Sequence, residues 1–384
     1  MTKPDYQQRS IVNLMSSLVQ GLGGPAGLYP PLDLLPPATV AAATNVVLLV
    51  IDGLGYRYLR RHGNLLNACL RGKMTTVFPS STAPAITSFL TGVAPQQHGV
   101  TGWFMHLREL GTVAMMLPFR SRWGGDSFAS AGVKPGDLLA CPPLVDSLNV
   151  RSYFLISREL VHSPFTAASA GKAKRIGYRN LVDLAVVIDR LVRQGSERQY
   201  LYVYWPLFDA LAHDYGVGSR VVKRHLRELE RWFTDLTREL EGTDTLLVAT
   251  ADHGFIDTAP TCTVTLQDHP ELAACLALPL CGEPRLAYCY VRPGKTGRFE
   301  RYVRERFGDW CDLYPSEELV QQGWFGLGEP APQLLERIGD YVLMLNGSHV
   351  IQDLLIKEKA HHTIGVHGGA SEDEMMVPLL VADC

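Results

Sequence analysis

The sequence contains no C-x-x-C pair, no long apolar run and no concentration of excess basic charge. Its eight cysteines (Cys69, Cys141, Cys262, Cys275, Cys281, Cys289, Cys311 and Cys384) lie far apart, which excludes a thiolate metal cluster or a redox pair. Met1 to Gly21 carries Asp5 and other polar residues before Ile11 and offers no apolar leader segment, so a reducing, cytoplasmic setting is expected. The most apolar stretch, Val46 to Ile51, is too short to span a bilayer, and no membrane association is expected. The formal net charge is -3, and the basic residues are dispersed, as in Arg57, Arg60 and Arg61 or along Arg220 to Arg227. Dispersed charge of this kind makes solvated faces, and no stable nucleic-acid partner is expected. Oligomeric state is left open.

What is present is the composition of a globular enzyme: 384 residues, 46% hydrophobic and 20% charged. Gln8 to Leu22 has helical spacing of Ile11, Leu14, Met15 and Leu18 and stops at glycines. Gly21 to Pro37 is rich in Gly and Pro and predicts an irregular segment. Asn45 to Ile51 is a continuous aliphatic run of the kind that is buried on both faces of a parallel sheet, and it ends in Asp52-Gly53. Gln199 to Trp205 and Thr245 to Ala249 repeat the pattern, with an amphipathic helix from Arg220 to Leu240 between them. Strands alternating with helices predict an α/β fold with a mainly parallel central sheet flanked by helices. Ile256 to about Ala360 reads as a small inserted α/β cap, with strands at Arg285–Arg292 and Tyr341–Leu345 and helices at Gly297–Phe307 and Ser316–Gln322. The expected division is therefore a catalytic core of residues 1–255 and 361–384 with a cap of residues 256–360.

Ligands of such sheets gather at the carboxyl ends of the strands, and chemistry-bearing residues stand there. Asp52 follows the first buried run. Asp209 and His213 are four apart on one helix face, where both can reach a single metal. Asp252-His253-Gly254 follows the third run, and His367-Gly368-Gly369 lies near the C-terminus. Carboxylate oxygen and imidazole nitrogen suit zinc and similar divalent ions. Three Asp, three His and one hydroxyl can form two incomplete metal shells. Two metals about 4 Å apart can clamp the attacking and leaving oxygens of an in-line displacement at phosphorus. Each segment alone has a bland reading: Asp-Gly as a turn, Asp209/His213 as a surface pair. The ordered set carries the case. Of twelve histidines, His62, His106, His225, His269 and His349 are read as surface or structural, and His361 and His362 stand near His367 without an assigned role.

A nucleophile is expected in Phe78 to Ala85, where Ser80, Ser81 and Thr82 compete with one another and with Thr75 and Thr76 just before the segment. Pro84 is expected to keep the loop from becoming helical too early, with a helix from Ala85 behind it. A hydroxyl just before a helix N-terminus faces favourable dipoles for an anion, which selects Ser81 or Thr82 without choosing between them.

These residues resemble the alkaline phosphatase superfamily, and within it the nucleotide pyrophosphatase/phosphodiesterase group. The resemblance runs in order through Asp52, Thr82-x-Pro84 with Thr91-Gly92 and His98-Gly99, Asp209-x-x-x-His213-x-x-Gly216, Asp252-His253-Gly254 and His367-Gly368-Gly369. It implies Thr82 as nucleophile, because the family's Thr stands two residues before a Pro and ten before the Gly of a Thr-Gly pair. It implies one metal on Asp209, His213 and His367 and another on Asp52, Asp252 and His253 with Thr82 beside it. Zinc is the expected metal, with manganese or iron as alternatives. The implied reaction is ping-pong hydrolysis of a small phosphate diester or nucleotide through a phospho-threonine. Where better-known members carry an Asn after the loop Pro and another after His-Gly, this chain has Ala85 and Trp103. Trp103 is thus a candidate for stacking on a base or lining a leaving-group pocket, against a simple packing role. Arg285 and Arg337 are candidates for a bidentate grip on phosphate, although a structural Arg–Asp pair is the favoured reading.

The sulfatase pattern fails here, since Thr82 replaces Cys or Ser and Ile86 replaces the Arg. The set of ligands in cofactor-independent phosphoglycerate mutase fits less well. Cleavage of a carbon–phosphorus bond, as in phosphonoacetate hydrolase, and phosphomonoester hydrolysis remain enzymatic alternatives. A metal-binding pseudoenzyme is the non-enzymatic one, and the complete ligand set argues against it.

Overall fold

The computed structural model describes residues 1–195, 197–356, 358 and 363–384, so His361, His362 and the 360/361 boundary lie outside the described residues. Seven strands form the central sheet: β1 (Asn45–Ile51), β2 (Leu70–Thr75), β3 (Arg151–Ser157), β4 (Lys174–Tyr178), β5 (Gln199–Trp205), β6 (Thr245–Thr250) and β7 (Met376–Asp383), in spatial order β2-β7-β6-β1-β5-β3-β4. Every residue of β1, β5 and β6 is buried, as expected for aliphatic and aromatic runs covered on both faces. β1 pairs parallel with β5, from Asn45 opposite Gln199 to Ile51 opposite Trp205, and parallel with β6 on its other side. β3 continues the parallel array between β5 and β4, whereas β7 runs antiparallel to β6 and β2. The in-register pairing of β1, β5 and β6 brings their carboxyl ends side by side. The residues just past those ends are Asp52, Pro206 and Ala251-Asp252.

Helices pack against the sheet and share one apolar core with it. Ile11–Gly21 carries a capping box between Ser10 and Asn13 and packs against Thr82–Thr91. Leu181–Gln194 packs against Arg220–Glu239, the amphipathic helix, which also meets Leu207–Tyr215. The segment from Leu22 to Pro36 has no regular helix or strand, and a short helix, Pro37–Ala42, follows it.

One local expectation is corrected. The helix behind the nucleophile loop starts at Thr82, with Ser81 extended before it, so Pro84 sits inside the first turn. The first amides of a helix have no intrahelical carbonyl to meet, so proline costs no hydrogen bond there.

A second, antiparallel sheet of seven strands orders Cys311–Pro315, Tyr341–Leu345, Leu286–Cys289, Cys281–Glu283, Phe104–Leu107, Thr112–Met115 and Arg120–Ser121. Helices Thr296–Phe307 and Ser316–Gln321 accompany it. Its strands come from two stretches of chain, residues 104–121 and 281–345, which meet where Gly282 pairs with Phe104. A Cβ on Gly102 would stand 2.9 Å from the Gly282 Cα, and Gly282 has φ +83, so both positions favour glycine at this joint. That close approach sets Glu283 beside Trp103.

Candidate metal and nucleophile centre

At the carboxyl ends of β1, β5 and β6 the chain brings together Asp52, Thr82, Asp209, His213, Asp252, His253 and His367. Asp52 leaves β1 into Gly53, whose φ of +77 makes the turn; a Cβ there would lie 2.4 Å from the Phe255 ring. Asp209 and His213 face the centre from Leu207–Tyr215, with His213 Nε2 3.5 Å from Asp209 Oδ1. His253 is central: its Nε2 lies 3.3 Å from Asp52 Oδ1, 3.6 Å from Asp252 Oδ2 and 3.9 Å from Asp209 Oδ1. His367 Nε2 stands 3.8 Å from Asp209 Oδ1, and its ring stacks on that of His253 at 3.7 Å. Thr82 Oγ1 lies 3.1 Å from His253 Nε2.

The supporting bonds leave one face of each ligand free. His213 Nδ1 meets the Gly365 carbonyl at 2.8 Å, His253 Nδ1 the Gly254 carbonyl at 3.1 Å, and His367 Nδ1 the Ser80 carbonyl at 3.1 Å. A carbonyl partner requires the proton on Nδ1, so all three Nε2 lone pairs point inward, as metal-ligating imidazoles do. Asp252 Oδ1 accepts from the amides of Gly53 and His253, both at 3.0 Å, and the Tyr204 hydroxyl donates to Asp52 Oδ2. Asp52 Oδ1, Asp209 Oδ1 and Asp252 Oδ2 are buried without a hydrogen-bond partner among the described residues. Buried polar atoms are normally satisfied, and three converging orphan acceptors ask for cations.

The electrostatics agree. Burial, then the charges of Asp209 and Asp252, pushes the Asp52 carboxyl well above the usual range. Burial, then Asp252 and Glu283, does the same to Asp209. Burial lowers His213 and, with help from His253 and His213, lowers His367 well below its ordinary value. Crowded carboxylates beside neutral imidazoles form a donor set that suits divalent ions.

Two tight groups emerge: Asp52, Asp252 and His253, and Asp209, His253 and His367, each with one donor atom per residue within 4.8 Å of the others. The first matches the set implied by the family resemblance. The second includes His253 where the resemblance implies His213, because His253 Nε2 lies between Asp52 and Asp209 while His213 sits at the rim with its side chain 30% exposed.

The remaining candidates lie elsewhere. Arg285 Nε and Nη2 bond both oxygens of Glu374 at 3.1 Å, and its Nη1 donates to the His349 carbonyl at 2.6 Å. Arg337 donates to the Gly99 and Leu138 carbonyls, both at 2.8 Å, and to Glu109 at 3.1 Å. Both guanidiniums are buried and committed to these partners. The Trp103 amide donates to Glu283 Oε1 at 2.7 Å, and Trp103 lines a cavity of about 570 Å³ together with Phe104, Arg122, Glu283, Ile351 and Asp353. Of the other histidines, His225 is buried and accepts from Trp205 Nε1 at 3.0 Å, and His269 meets the Tyr302 hydroxyl at 2.8 Å.

Several functional neighbours carry no motif. Tyr204 is the buried neighbour of Val50 on β5, and its position one residue before the strand end is the only sequence cue to its contact with Asp52. Ser80 donates to the Gly369 carbonyl at 2.7 Å and ties the nucleophile loop to the His367 loop. Glu283 accepts from the Ser81 hydroxyl as well as from Trp103, and burial lifts its carboxyl to about 7 despite those two donors.

The family model for type I phosphodiesterase / nucleotide pyrophosphatase matches residues 46–369. No curated protein matches the sequence. Among solved structures, mouse ectonucleotide pyrophosphatase/phosphodiesterase 5 is similar in fold, with a TM-score of 0.66 at 15% identity over 87% of both chains. An inactive variant of the mouse protein in complex with AMP gives 0.64 at 16% identity, over 87% of both chains. The human counterpart gives 0.63 at 16% identity, over 88% of this chain and 87% of that one.

Proposed function

The chain belongs to the type I phosphodiesterase / nucleotide pyrophosphatase family, a family of metal-dependent phosphoric diester hydrolases, and from that premise we propose that it cleaves small phosphate diesters or nucleotides through a phospho-threonine on Thr82. The observation that carries this reading is the place of the Thr82 hydroxyl, 3.1 Å from His253 Nε2 at the first residue of a helix, inside the carboxylate and imidazole cluster. Ser81, its competitor, has its hydroxyl committed to Glu283.

The residues that would hold two zinc ions are Asp52, Asp252 and His253, and Asp209, His367 and His213, with Thr82 beside them. Bound there, zinc would supply Lewis acidity that lowers the threonine hydroxyl pKa and offsets charge on the leaving oxygen. Thr82 Oγ1 forms the new bond to phosphorus as the bond to the leaving oxygen breaks, and the hydroxyl proton ends, by way of solvent, on the departing alcohol or nucleotide oxygen. Water then opens the phospho-threonine, releasing the phosphoryl product and restoring the hydroxyl. The first amides of Thr82–Thr91 lack intrahelical partners, and such a helix start favours negative charge on phosphoryl oxygens. The AMP complex of the mouse relative makes a nucleoside monophosphate group the first chemistry to try.

The test is Thr82→Ala assayed with zinc on bis-p-nitrophenyl phosphate and on dinucleotides. Turnover should fall by at least about 10³-fold while metal content stays near that of the native chain. Activity surviving in Thr82→Ala would sink the assignment of the nucleophile.

A further inference from the structure

Glu283 reaches the centre from the second sheet and belongs to none of the motifs above. It is 7% exposed, and its side chain is held on three sides. The Ser81 hydroxyl, next to Thr82, and the Trp103 amide at 2.7 Å both donate to Oε1. Gly368, next to His367, closes the third side: a Cβ there would lie 2.6 Å from the Glu283 Cβ, and its φ of +107 also favours glycine. The only hydrogen-bond donors to the carboxyl among the described residues are thus one hydroxyl and one amide, and no Lys or Arg there forms an ion pair with it. A buried charge with so little compensation acts on whatever approaches it.

We propose that Glu283 is a specificity-determining residue: its carboxylate, beside the nucleophile, disfavours the doubly charged phosphate of a monoester and admits the singly charged phosphate of a diester. This rests on the phosphoester-hydrolase reading above. The diester's second ester group is the part that a monoester lacks, and space for it adjoins Glu283. The cavity of about 570 Å³ lined by Trp103, Phe104, Ile351 and Leu354 is of the size that small-molecule groups occupy. In this chain Trp103 presents a wall to that cavity while its amide holds the carboxyl in place.

A purely structural Glu283 would do no more than pin Ser81 and Trp103. Glu283→Gln separates the two roles, since the amide oxygen still accepts both bonds and only the charge is lost. In the zinc-loaded full chain above about pH 8, where monoesters are dianions, the variant and native protein are compared on p-nitrophenyl phosphate and bis-p-nitrophenyl phosphate. The ratio of monoester to diester kcat/KM should rise about tenfold or more in the variant. An unchanged ratio of the two, whether both rates hold or both fall, overturns the proposal.

A binding measurement on the native chain covers the case in which the variant does not fold. By calorimetry, a singly charged phosphonate monoester should bind about tenfold more tightly than inorganic phosphate, and equal or reversed affinities overturn the role of Glu283. Absence of turnover in the native protein would count against the proposed function, while the binding comparison would still decide the part played by Glu283.

Discussion

Each imidazole at the centre spends one nitrogen on a backbone carbonyl and keeps the other for the cluster, but the three are not equivalent. His367 is 9% exposed, stacks on His253 and lies in the tight group with Asp209, whereas His213 stands at the rim. His367→Ala should therefore weaken metal binding by more than the roughly 10–100-fold typical of losing an outer partner, and His213→Ala by less than His367→Ala. Metal content after dialysis against graded chelator reads this directly, and the opposite order would show that the rim histidine is the stronger ligand. Asp52, Asp252 and His253 could be singled out at strand ends and Asp209 with His213 by a helical spacing of four, because each constrains where a side chain points, whereas His367 entered only through its His-Gly-Gly segment and the family resemblance. Glu283 was not legible. Its role comes from two stretches of chain meeting at Gly102 and Gly282, and nothing within Cys281-Gly282-Glu283 announces that meeting.

Between elements, the Arg285–Glu374 pair does more than close the second sheet onto the core. Glu374 Oε1 also accepts from the Gly369 amide at 2.8 Å, so the guanidinium on one sheet steadies the loop that carries His367. Both side chains are essentially buried, at 1% and 0% exposure. Removing one partner leaves an unpaired buried charge, and Arg285→Met should cost about 3–5 kcal/mol. The double variant Arg285→Met with Glu374→Leu should recover much of that loss, because a buried pair is often replaceable by apolar side chains. Denaturant unfolding of the two single variants and the double variant measures the coupling, and additive losses would mean that the two groups do not act as a pair. The sequence placed Arg285 as a candidate without revealing its partner, since Glu374 is 89 residues away. Asn45–Ile51 and Gln199–Trp205 were legible as unbroken apolar runs of strand length, and Arg220–Glu239 by its sustained helical period. Phe104–Leu107, Thr112–Met115 and Arg120–Ser121 are too short for any period to show.

For the molecule as a whole, the central sheet gathers three carboxylates into its buried edge, which sets the folded chain against itself unless a cation is present. Asp52 and Asp209 are held above the ordinary carboxylate range, and burial lifts Glu283 to about 7. A carboxyl raised in the folded state contributes stability that is fully present below its unfolded pKa and is lost as pH rises through the folded value. His213 and His367, lowered in the fold, act with the opposite sign, but above about pH 7 they are neutral in the folded and unfolded chain alike. Glu283, lifted to about 7, therefore contributes a falling slope between about pH 7 and 8, and the chelator-treated protein should melt at lower temperature as pH rises. Zinc added back at a hundredfold excess over its Kd should raise the melting temperature by on the order of 5 °C, and the gain should grow with pH as more carboxylates ionise. A metal-free protein with a flat profile across that window, or one indifferent to zinc, would mean that the buried edge of the sheet does not concentrate negative charge.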